Sequence, residues 1–326
     1  MLWILVAIVV AVALPACGRV NTDDSAELSV ARAKALVAQS EEKLILNDLK
    51  TLSVGAAGEL AKHQGTLILN GLTTLSPEVA AALATHAGTL RLGGLSTLSV
   101  EVAEAFEKHD DLLILDGVTT LSPEVAEALA RHKGPLRFDG LTPITPEVAA
   151  ALAKHQDMVS LNGLKSLSPE VAAALAQSAG DLGLLGLSTL PDEVAEALAN
   201  HEGFLILDGV TNLSAEGAEA LSRHKHPLSL DGLTMLSSEV AGALAKHQGT
   251  LILNGLTTLS PESAKLLATH DGAMNLSGLT TLSDEAAGAF AKRSGALLLD
   301  RLETLSPKAA ETLRANPRIR LPEKFR

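Results

Sequence analysis

The nineteen residues LAKHQGTLILNGLTTLSPE stand at positions 60–78 and recur unchanged at 244–262. The offset of 184 residues is eight times 23. Aligned on a short Leu-x-Leu segment, units begin at Leu44, Leu67, Leu90, Leu113, Leu136, Val159, Leu182, Leu205, Leu228, Leu251, Met274 and Leu297, and every interval is 23 residues. Twelve registers without insertion or deletion restrict the chain to a repeat architecture, because each short unit exposes apolar faces that only a neighbouring unit can cover.

Each unit carries two periodicities. LILNGL alternates, so Leu67 and Leu69 point one way while Ile68 and Asn70 point the other, as in a short strand. Asn70-Gly71 is a turn dipeptide in which Gly can take positive φ. SPEVAAALATH then predicts a helix with Ser76 as N-cap, Pro77 at N1 and Glu78 at the positive helix end. Val79 and Leu83 face inward, Ala80, Ala82 and Ala84 keep the helix thin, and Gly88 ends it. Stacked strands sit about 4.8 Å apart, whereas helices need roughly 8 Å. The helices must fan along the outside of a bend. The expected fold is therefore a curved α/β solenoid, a horseshoe with a concave parallel β-sheet and short convex helices.

This pattern resembles the leucine-rich repeat family, over residues 44–317. The period, the Leu-x-Leu strand and the convex helix match. The family places an Asn a few residues after the strand, where its side chain ladders between coils. Here position 72 and its equivalents are Leu or Val and the polar residue follows the strand directly, so the loop is expected to turn in its own way. The resemblance implies a protein- or ligand-binding scaffold rather than an enzyme.

The chain opens MLWILVAIVVAVALPACGRV, an apolar run too short to span a bilayer and ending at the sole cysteine. Residues 1–17 read as an export signal, and Cys17 resembles the lipidated cysteine of bacterial lipoproteins. That resemblance implies a cell-envelope location, with a lipid anchor in the outer membrane. Residues 18–25 form a tether, 26–43 an amphipathic capping helix, and 318–326 a solvated basic tail. A net charge of −12 argues against nucleic acid as a partner. Aromatic residues are only 2% of the chain, so a binding surface must work without the usual aromatic anchors.

Histidine fills one register: His63, His86, His109, His132, His155, His201, His224, His247 and His270, interrupted by Ser178 and followed by Arg293. One imidazole per coil, with no second column of His or Cys, does not converge three or four ligands on a metal. These residues are expected in the last helical turn on the convex edge, bonding free carbonyls and favouring the helix C-terminus when charged. No metal or cofactor is expected. Adjacent Asp pairs such as Asp116/Asp139 and Asp208/Asp231 could hold calcium between coils, but Asp before Gly in a turn explains them without it.

The outward strand positions carry the candidate concave binding face: Ile68, Arg91, Ile114, Arg137, Ser160, Ile206, Ser229, Ile252 and Asn275. They vary in charge and size while the flanking leucines stay fixed, and the isoleucines are expected to leave an exposed apolar stripe. No phosphate loop, H-E-x-x-H or CxxC pattern occurs. The repeated Ser, Asp and His argue against a catalytic site, since an active site interrupts a repeat. The breaks gather around unit 182, at Ser178, Gly183 and Leu185. The expected function is that of an exported, non-enzymatic scaffold binding a protein or peptide through its strand face. The alternative is an envelope spacer with no specific ligand.

Overall fold

The computed structural model describes residues 28–326; the leader, Cys17 and the tether lie outside the described residues. Thirteen strands form one parallel sheet in strict sequence order. Each pairs in register with its homologue one coil away, as Leu67 does with Leu90 and Ile68 with Arg91. A short helix lies between successive strands. The result is a curved solenoid with its continuous parallel sheet on one side and its helices on the other.

The coil anatomy follows from the side chains. Leu67, Leu69, Leu72 and Leu83 are fully or almost fully buried in one continuous core. Ladder bonds run from the amides of one coil to the carbonyls of the next, as in Leu67 N to Thr89 O at 2.9 Å and Leu69 N to Arg91 O at 2.8 Å. The helix Pro77–Leu83 buries Val79, Ala80 and Leu83, and the Ser76 hydroxyl accepts the amide of Val79. The same cap recurs at Ser122, Thr145 and Ser168. Burying each large aliphatic side chain contributes about 1.5–3 kcal/mol, and no single coil could realise that alone.

Two expectations change. Gly71 has no positive φ; among the described residues only Gly65 and Gly88 do. A Cβ on Gly71 would lie 2.1 Å from Asn47 O, so this glycine serves the close approach of successive coils. The basic tail is also not wholly solvated. Ile319–Arg320 adds a thirteenth strand to the sheet, Leu297 and Leu299 donating to the carbonyls of Arg318 and Arg320. Leu321 is buried, and Arg320 pairs with Asp300. The last full coil would otherwise leave a row of free amides, and the tail covers it. At the other end the helix Val30–Gln39 packs on the helix Val54–Leu60, burying Ala33 and Leu36.

Candidate functional site

The helices stop one turn earlier than the sequence indicates, and this relocates the histidines. The helix Pro77–Leu83 ends three residues before His86, whose amide still reaches Leu83 O at 3.0 Å. The imidazoles therefore turn into the stack instead of lining the convex edge. All nine column residues are at most 3% exposed. Neighbouring rings lie near one another, with centroids 6.2 Å apart for His63–His86, 6.3 Å for His86–His109 and 6.1 Å for His247–His270. Their bonds are to backbone carbonyls: His109 Nδ1 to His86 O at 3.1 Å, His86 Nε2 to Gly65 O at 3.0 Å and His132 Nδ1 to Gly134 O at 2.7 Å.

Burial disfavours the charged form of an imidazole. His132, His201 and His247 are lowered to about 4, chiefly by desolvation and further by neighbouring histidines. His63, His109, His155, His224 and His270 are lowered for the same leading reason. The expected charged cap at a helix end is thus replaced by a buried column. Its rings bond backbone carbonyls at His86, His109, His132, His155, His224 and His270, while those of His63, His201 and His247 have no hydrogen-bond partner among the described residues. Its non-histidine members do the same work. Ser178 Oγ donates to His155 O at 3.4 Å, Arg293 donates to Leu267 O and Gly272 O, and Asn316 Nδ2 reaches Ala291 O and Arg293 O at 3.0 Å each. Among the described residues no group of three His, Cys, Asp or Glu could hold a metal ion.

A complementary column of acceptors runs along the strand ends. Asn70 Oδ1 accepts the amide of Gly93 at 2.9 Å, and Asn162 Oδ1 that of Leu185 at 3.0 Å. Asp208 accepts Asp231 N at 3.0 Å, and Asp231 accepts Asn254 N at 2.6 Å. The side-chain ladder absent from position 72 is therefore present directly after the strand. That column reads as a turn dipeptide within one coil and as a ladder only between coils. It interrupts at Gly93 and Leu185, which have no acceptor to offer.

On the concave face the isoleucine stripe is largely covered. Ile68, Ile114 and Ile206 are 9%, 7% and 5% exposed, and Ser160 and Ser229 are buried too. At the inter-strand spacing of about 4.8 Å, side chains of the adjacent strands and of positions two residues away share the face and crowd a short side chain. What remains accessible is Arg91, Arg137, Ile252 and Asn275. The two arginines frame an ion network: Arg91 binds Asp116 at 3.2 Å, while Arg137 spans Asp116 at 3.1 Å and Asp139 at 2.6 Å. Ser160 Oγ adds a bond to Asp139 at 3.2 Å. Burial pushes the Asp116 carboxyl up, and Arg137 opposes that most strongly.

A chain of the Toll–Spätzle complex of Drosophila superposes with a TM-score of 0.54 at 16% identity, covering 90% of this chain and 41% of that one. The fold is a leucine-rich-repeat-like horseshoe. This likeness is one of fold, and the chain spans about two-fifths of that structure's length. An internalin of Listeria monocytogenes aligns at 14% identity over 91% of this chain and 89% of its own, with a TM-score of 0.45. A leucine-rich-repeat protein of Leptospira interrogans aligns at 19% identity over 90% and 99%, with a TM-score of 0.28. No protein-family model and no curated protein matches the chain. In this leucine-rich-repeat-like chain the Ser column caps the helix of its own coil, the Asn/Asp column bonds coil to coil, and His86, His109 and His155 reach carbonyls of the preceding coil.

Proposed function

We propose that this protein is a non-enzymatic scaffold of the cell envelope that binds a protein or peptide through its concave strand face. The observation that carries the reading is the contrast between the two sides of each strand. Leu67, Leu90 and Leu113 all point inward and are fully buried, whereas the outward residues of the same coils are Ile68, Arg91 and Ile114. The inner column is uniform, whereas the outer one changes in charge and size from coil to coil and, although covered at Ile68 and Ile114, is accessible at Arg91, Arg137, Ile252 and Asn275. The Arg91–Asp116–Arg137–Asp139 network gives that face fixed, partly exposed charges, which set partner choice more than affinity. The Toll–Spätzle likeness in fold agrees with a role in protein interaction. The leader ending at Cys17 supports export, and its resemblance to lipoprotein signals supports a lipid anchor.

The test is crosslinking capture from the native cell envelope, comparing the natural chain with an Arg91→Gln, Arg137→Gln variant. A discrete partner captured by the first and lost by the second supports binding through this face. Capture of nothing by either, from an envelope in which the protein is abundant, supports the spacer instead.

A further inference from the structure

Charge is unevenly spread along this chain. Residues 314–326 hold five Lys or Arg and one Asp or Glu, a net of +4 within a chain of −12, so residues 1–313 carry −16. Those thirteen residues close the stack. The helix Pro307–Arg314 ends, the chain turns through Asn316 and Pro317, and the strand Ile319–Arg320 follows. The short helical turn Glu323–Phe325 then brings Arg326 back, where its Nε donates to Leu321 O at 2.9 Å. Between these elements lies a cleft of about 540 Å³. Arg314, Arg318, Arg320 and Arg326 line it together with the apolar Pro317, Ile319 and Leu321, and no Asp or Glu does.

The four guanidinium groups are not equivalent. Arg320 is paired with Asp300, which neutralises it. Arg314, Arg318 and Arg326 are exposed, and among the described residues none of them has a carboxylate partner. Elsewhere Arg91, Arg131, Arg137 and Arg223 each have one. A guanidinium carries five N–H donors, and in these three side chains only Nε of Arg326 is engaged among the described residues. The backbone offers one donor more. Leu299 N donates to Arg320 O in the strand beyond it, whereas Leu321 N, its counterpart, meets no such carbonyl among the described residues. The cleft thus gathers unspent donors and positive charge over an apolar floor.

We propose that this cleft binds an organic phosphate, a monoester whose phosphate is held by Arg314, Arg318 and Arg326 and whose organic part lies over Pro317, Ile319 and Leu321. A phosphate monoester brings a charge of about −1.5 to −2 at neutral pH and three strong acceptor oxygens. Guanidinium forks match that geometry with paired, charge-assisted bonds. A carboxylate brings one charge and two oxygens, and would leave most of the donors unmet. The apolar floor calls for more than a bare phosphate ion, and the volume falls within the roughly 300–1,000 Å³ of small-ligand pockets. The site stands at the end of the stack and does not depend on the strand-face reading. A free ester and the monoester headgroup of a membrane lipid share this chemistry.

Isothermal titration calorimetry of the purified full chain tests it with phenyl phosphate, inorganic phosphate and benzoate. Phenyl phosphate is expected to bind about tenfold or more tighter than either of the others, one lacking the ring and the other the second charge. Arg314→Gln, Arg318→Gln and Arg326→Gln combined should weaken it about tenfold or more with the urea midpoint nearly unchanged. Arg131→Gln with Arg223→Gln removes positive charge elsewhere and should leave the affinity as it is. Vesicles containing phosphatidic acid separate the two sources. Cosedimentation that phenyl phosphate competes away supports a lipid headgroup, and phenyl phosphate binding without cosedimentation supports a free ester. No phenyl phosphate binding at millimolar concentration, equal binding of the three probes, or unchanged affinity in the triple variant overturns the proposal. So does an equal loss in Arg131→Gln, Arg223→Gln, or vesicle binding that phenyl phosphate does not displace.

Discussion

The imidazole of His109 donates its Nδ1 hydrogen to the carbonyl of His86 one coil earlier, at 3.1 Å, while the two rings lie 6.3 Å apart and 13° from parallel. Side chain and backbone of one register thus join successive coils, inside a column closed to water.

Such a column makes stability depend on acid. A histidine whose folded pKa is depressed leaves the folded state with fewer bound protons than the unfolded one, so stability falls as pH drops below about 6.5. For His132, His201 and His247 the loss continues down to about 4. At pH 5 each of the three is expected to have cost on the order of 2 kcal/mol. Asp110, Asp111 and Asp157 face parts of the column and oppose the effect, whereas Arg293 and His226 reinforce it. Urea midpoints measured from pH 7.5 to 4.5 should fall steeply over this window; a flat profile contradicts neutral buried imidazoles.

Asparagine is the substitution that separates charge from packing. Asn316 already fills the register and donates to two carbonyls at 3.0 Å. Replacing His201, His224 and His247 together by Asn is expected to flatten the acid dependence, even if the midpoint at pH 7.5 drops. An unchanged slope would place the acid sensitivity in the carboxylates instead.

The acceptor ladder predicts opposite effects at two positions in one column. Asp231→Ala removes the acceptor of Asn254 N at 2.6 Å and should cost about 1–3 kcal/mol. Leu185→Asn supplies an acceptor next to the amide of Asp208 and should stabilise by about 0.5–1.5 kcal/mol. Chemical denaturation of both variants checks the pair, and destabilisation by Leu185→Asn counts against the ladder.

Caps and core give two calibrating losses. Ser122→Ala removes the bond to Val125 N and should cost about 1 kcal/mol. Leu129→Ala empties a fully buried site and should cost about 2–5 kcal/mol. Near-equal losses from the two would mean that the cap and the core do not play these separate parts.

The architecture was legible in the 23-residue spacing because each coil repeats the same local grammar: Leu67 and Leu69 inward, Ser76 capping, Leu83 buried. What escaped a reading of single coils were relations between coils. Asn70 looked like a turn residue, yet its side chain serves Gly93, one coil on. His86 looked like the end of a helix, yet it lies past that end and bonds to the carbonyl of Gly65 in the preceding coil. Ile68 looked exposed because alternation gives direction only, and crowding by adjacent columns decides accessibility. Ile319 escaped because its interval from Leu297 is 22 residues, so it falls out of the strict phase.

The central claim is that the strand face, and not the helix face, meets a partner. Site-specific photocrosslinking in intact cells tests it most directly, with a photoreactive residue at the half-buried Ile252 on the strand face or at the exposed Glu239 on the helix face. A discrete adduct from position 252 and none from position 239 is the predicted result. A discrete adduct from 239 alone, or none from 252, would contradict it.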